Sequence, residues 1–74
     1  MGDVPALKPT EVIRILRSLG FREVRLRGSH RQYRNADSRG TTLPVHNGRK
    51  VSPILVRAIA ADIGLRVDEF LAHR

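Results

Sequence analysis

Apolar residues recur at two different periods along the 74-residue chain, and the change of period divides it into elements. Val12, Ile15, Leu16 and Leu19 follow i, i+3, i+4, i+7 spacing, which predicts a helix over residues 9–19. Pro9 suits its first turn, Glu11 complements the positive helix start, and Gly20 follows as a C-terminal stop. From Val24 to Arg27 apolar and charged residues alternate, so residues 22–27 read as a strand with one buried and one basic face. Gly28-Ser29 is a turn signal. His30–Arg34 reads as a second strand, polar on both faces. Residues 35–40 are turn formers, and 41–45 read as a third strand that, because Pro44 cannot donate to a ladder, lies at an edge or ends there. After the 46–50 turn, Ser52 and Pro53 fit the N-cap and first position of a helix over 53–63. Its stripe is Leu55, Val56, Ile59, Ala60 and Ile63, and Gly64 closes it. Residues 1–8 read as a loose leader. The tail 66–74 adds a helical turn that docks Phe70 and Leu71 on the core.

Turns this short force antiparallel strands, because a parallel crossover needs a dozen residues or more. A sheet with one apolar face must be covered, and only the two helical stripes can cover it. The expected fold is α+β: an α-β-β-β-α order with a three-stranded antiparallel sheet, both helices on one face, and the Arg25/Arg27 face open to solvent. Residues 1–74 are expected to form one domain with its core at about 8–71. A chain of this size buries only about 60% of its unfolded surface. That leaves no room for two lobes around a cleft.

Composition adds a sign. Fourteen Lys and Arg oppose seven Asp and Glu for a net charge of +7, and twelve of the fourteen are Arg. The sequence pI is about 11.5. Arginine's planar fork grips phosphate at two points and stacks on bases, so the balance suggests a polyanion, nucleic acid first. Arginine-rich composition for solubility explains the same numbers. With no cysteine, disulfides and thiolate metal sites are excluded and a cytosolic compartment is allowed. No apolar run approaches the ~20 residues of a membrane span. The start, Met1 to Pro5, lacks the pattern of a secretory signal, and Ala6 argues against myristoylation at Gly2.

Between Arg22 and Arg34 stand five arginines and one acid, Glu23. The densest point is Arg27-Gly28-Ser29-His30-Arg31. Gly28 permits close backbone approach, and Ser29 offers a hydroxyl and turn N–H groups that suit phosphate. His30 can take and give a proton near neutral pH. Flanking arginines would hold a phosphodiester and stabilise charge growing on it. On residue types alone, His30 is equally a solvated strand histidine, while the arginines favour binding. His46, with Lys50 nearby, is a second acid–base candidate or a plain turn residue, and His73 is incidental. Three scattered histidines without an Asp/Glu cluster give no metal-ligand spacing.

Four segments, taken together, resemble the HicA (YcfA-like) toxin family over roughly residues 8–71. They are Leu16-Arg17-Ser18-Leu19-Gly20-Phe21, Arg27-Gly28-Ser29-His30-Arg31-Gln32-Tyr33, Leu43-Pro44-Val45-His46, and the helix from Leu55 to Ile59 closed by Ile63-Gly64-Leu65. The resemblance implies a double-stranded-RNA-binding-domain-like fold. It implies an mRNA interferase, a cytoplasmic ribonuclease toxin needing no cofactor or metal and paired with a HicB antitoxin. It makes His30 the catalytic histidine. Arg27, Gly28, Ser29, Arg31 and Arg34, with His46 and Lys50 in second rank, are then expected to bind RNA. A non-catalytic RNA-binding module on the same face is the alternative, and a purely regulatory role a third. Two departures stand out: Ile54, where many members carry Gly, and the heavy basic load of the first strand.

Overall fold

A computed structural model describes residues 3–74. Met1 and Gly2, on which the leader and lipidation readings partly bear, lie outside the described residues. The element order is α1 (Pro9–Ser18), β1 (Arg22–Arg27), β2 (His30–Arg34), β3 (Gly40–Pro44), α2 (Pro53–Asp62) and α3 (Val67–Leu71). The sheet is antiparallel in the order β1-β2-β3. Extents of 34 × 30 × 16 Å are those of a two-layer slab, helices over sheet. This is the expected α+β, double-stranded-RNA-binding-domain-like fold.

The helix ends follow from their residues. At α1 the Lys8 N–H donates to Glu11 Oε1 (3.1 Å); lysine has no acceptor, so this is one half of a capping box. At α2, Pro53 takes the first turn and Ser52 Oγ accepts from the Leu55 N–H (3.3 Å). Both helices stop with paired reverse bonds. Phe21 N–H donates to Leu16 O (2.9 Å) and Gly20 N–H to Arg17 O (3.0 Å); Leu65 and Gly64 repeat the pattern on Ala60 and Ala61. The left-handed turn this needs, φ +78° at Gly64, suits glycine.

One core fills the space between layers. Val12, Ile15 and Leu16 of α1 meet Tyr33 and Leu43 of the sheet, Val56, Ile59 and Ala60 of α2, and Phe70 of α3. The tail docks as expected: Phe70 is buried, Leu71 packs at the margin, and Arg74 reaches back to Glu11 Oε2 (3.2 Å). Thr41 is buried but satisfied, its hydroxyl donating to Asp62 Oδ2 (2.9 Å).

Three expectations are corrected. The leader is not loose throughout: Leu7 is fully buried and pairs with Val51 through two backbone bonds of 3.0 and 2.6 Å. The strand β1 has no buried face, since Val24 is 55% and Leu26 58% exposed. It is an edge strand beyond the reach of the helices, and its pairing with β2 is broken by a bulge between Glu23 and Arg25. The strand β2 is not polar on both faces: it lies at the sheet centre, and Tyr33 is 1% exposed in the core. Pro44 ends the edge strand β3, where its missing N–H costs no central ladder bond.

Candidate nucleic-acid interface

Cross-strand partners share a face, so the register assigns every strand side chain. Arg27 pairs with His30, Arg25 with Gln32, and Arg22 with Arg34; β3 adds Pro44, Thr42 and Gly40 opposite these β2 residues. This set forms the outer face, away from the helices. Glu23, Leu26, Arg31, Tyr33, Thr41 and Leu43 form the inner face. Four arginines and one histidine thus stand on the outer face, with no acid on its strand positions. Arg22 and Arg34 are direct partners, a like-charge pair that is destabilising without an anion between them.

His30 opens β2 immediately after the hairpin turn and is exposed. Gly28 has φ +59°, while Ser29 stays out of the left-handed region. A two-residue hairpin loop with positive φ only at its first position is the type II′ turn, which calls for glycine there. The Ser29 carbonyl accepts from the Val45 N–H (2.8 Å), so the chain leaving β3 is tied to this turn. His46 follows Val45, and sheet geometry puts it at the same end as Gly28, Ser29 and His30. Arg34 shares the outer face but lies four residues along β2 from His30, roughly 13 Å at ~3.3 Å per residue.

The structure separates Arg31 from this group. Adjacent strand residues point to opposite faces, so Arg31 lies beneath the sheet while His30 lies above it. Its Nη1 is 3.3 Å from Glu23 Oε1, and the Tyr33 hydroxyl approaches the same oxygen at 3.5 Å. Burial pushes the Tyr33 hydroxyl above its ordinary pKa; the Glu23 charge adds to the rise and Arg31 opposes it. Lys50 is also away from the outer face. It lines a separate cleft, with His46, between the 46–50 loop and the start of α1. Arg22 and Arg25 join Arg27 on the His30 face, although only Arg27 is picked out by the motif. Their signal is the alternation of β1 once its phase is known.

Among the described residues, no three His, Cys, Asp or Glu side chains gather as a metal ion would need. Nor is any helix long and apolar enough to cross a membrane. Fold and face together define a small double-stranded-RNA-binding-like domain with a concentrated cationic sheet surface. The profile of the HicA toxin of bacterial toxin–antitoxin systems matches residues 9–65. The chain belongs to that family, and it is a toxin with an antitoxin partner implied. Comparison with curated proteins gives no match.

Proposed function

We propose that this toxin is a metal-independent endoribonuclease, an mRNA interferase acting in the cytoplasm and neutralised by a HicB-like antitoxin. One observation carries the reading: His30 is exposed beside a glycine-led turn on the face that holds Arg22, Arg25, Arg27 and Arg34. The phosphate of a bound strand lies over the turn, held by Arg27 and the turn's N–H groups. His30 takes the proton of the adjacent ribose 2′-hydroxyl, and O2′ attacks phosphorus. The O2′–P bond forms, the P–O5′ bond breaks, and Arg25 and Arg27 offset the negative charge that builds on phosphorus-bound oxygen. A proton goes to the departing O5′; His46, held at the same end of the sheet, is the candidate donor. The products are a 2′,3′-cyclic phosphate and a 5′-hydroxyl.

Replacing His30 by Ala tests this. The position is exposed, so stability should change by no more than about 0.5 kcal/mol. The variant should express folded, bind RNA, and neither arrest growth nor produce cyclic-phosphate ends when induced. Undiminished toxicity in the variant would remove His30 from catalysis. A wild-type protein that binds RNA without cleaving it would establish the binding-module reading instead.

A further inference from the structure

The cleft beside the His30 end of the sheet is not part of the cationic face, yet it continues it. It has a volume of about 410 Å³, within the ~300–1,000 Å³ of small-molecule sites. Pro9 and Val45 give it half-buried apolar walls, and Lys8, His46, Arg49 and Lys50 stand on its rim, all exposed. Among the described residues, none of Lys8, Arg49 and Lys50 enters an ion pair. The neighbouring acid, Glu11, is occupied by the Lys8 N–H and the Arg74 guanidinium. The cleft starts where the catalytic turn ends, because Val45 both lines it and donates to Ser29. From His30 to His46 the sheet path is two residues along and one strand across. That is about 7 Å by about 4.8 Å, a span one nucleotide can bridge.

We infer that this cleft is a nucleotide subsite of the RNA track, taking the nucleotide next to the scissile phosphate. This rests on the ribonuclease reading above. The base packs flat against Pro9 and Val45, and its phosphate is held by Lys8, Arg49 and Lys50. Apolar contact with Pro9 and Val45 is blind to base identity, so these walls set the path and polarity of the strand rather than the sequence cut. The protein's two phenylalanines and one tyrosine are all buried, so no phenylalanine or tyrosine ring offers a competing stacking platform.

The test uses the cleavage-silent His30→Ala protein and an eight-nucleotide oligouridylate. Lys8→Ala with Arg49→Ala weakens the hold on that one phosphate and should lower the magnitude of the log K against log[salt] slope by up to about 0.7, the value for one single-strand phosphate contact. Arg14→Ala with Arg57→Ala removes the same charge from exposed helix positions and should leave the slope unchanged. In amide NMR spectra the oligonucleotide should shift Thr10, His46 and Gly48 as well as Gly28 and Ser29. Equal slope losses in the two double variants would overturn the subsite, as would shifts confined to residues 28–30; the ribonuclease reading survives either result. A hexaglutamate peptide that reproduces the 46–50 shifts at equal concentration would reduce the cleft to an undifferentiated cationic patch and overturn it. Failure of the oligonucleotide to bind at any salt concentration would sink both readings together.

Discussion

Tyr33 ties the chemistry of one residue to the stability of the sheet. Its ring is in the core and its hydroxyl faces Glu23 and Arg31. Because burial raises the folded-state pKa above the ordinary 10.0, the unfolded chain loses this proton first on alkaline titration. Stability from this group is therefore full below pH 10 and declines as pH climbs through the folded-state value. Thermal melts should be flat in this respect up to about pH 9 and fall above pH 10. Tyr33→Phe should flatten the alkaline fall. It should cost no more than about 1 kcal/mol at pH 7, since the hydroxyl's contact is long and part-exposed. Identical alkaline slopes in the two proteins would show that Tyr33 does not control them.

At the scale of elements, the helices divide the sheet unequally. Two ten-residue helices, each about 15 Å long at ~1.5 Å per residue, and a short α3 cover β2 and β3 and leave β1 bare. Leu43 and Leu26 thus have the same chemistry and different worth. Leu43→Ala, in the core, should cost about 2–5 kcal/mol in denaturant unfolding; Leu26→Ala, 58% exposed, should cost less than about 0.5 kcal/mol. Similar losses would mean that β1 is packed by something outside this fold.

The same division explains what was legible in the sequence. The helices α1 and α2 carried stripe, cap and stop within their own residues, and the structure changes their ends by a single position. The alternation of β1 was equally clear. Whether an apolar strand face finds a cover, however, is decided by elements distant in sequence, so Val24 and Leu26 misled. Tyr33 was hidden because one aromatic in His30–Arg34 cannot announce that its strand is central. The opposite facing of His30 and Arg31 was available from strand parity alone. The juxtaposition of His46 with the Gly28-Ser29 turn was not, because it depends on the Val45–Ser29 bond between distant segments.

For the whole molecule, the net charge of +7 is less informative than where it stands. If the outer face is the RNA track, Arg34→Ala should lower the magnitude of the salt slope for RNA binding by about 0.7–1. Arg14→Ala should not change it. Arg31→Ala should leave it nearly unchanged as well, since that guanidinium is paired with Glu23 below the sheet, an exposed pair worth well under 1 kcal/mol. Filter binding across a salt series separates the three; equal changes would indicate diffuse charge. An antitoxin that blocks RNA entry would have to face the same surface. An ordinary interface removes about 800 Å² from each partner, roughly a sixth of the 5100 Å² exposed here. An acidic partner of that footprint would cover the outer face and exclude RNA sterically. Sizing and cross-linking of His30→Ala toxin with antitoxin and RNA should therefore yield two binary complexes. A stable ternary complex, with RNA on the His30 face, would place inhibition at a distance.

The bulge at Val24 is, in effect, a punctuation mark that sorts signs. With unbroken pairing, alternation would put Glu23 on the same face as Arg25 and Arg27 and send Arg22 to the other. A carboxylate would then sit in the middle of the cationic surface. One extra residue resets the count: Arg22, Arg25 and Arg27 emerge together and Glu23 goes under, to Arg31 and Tyr33. The cost is a valine left in water and an interrupted ladder. The return is that six consecutive residues containing both charges present only one of them on the outer face. In this strand the spelling matters less than where the reading frame of its faces is shifted.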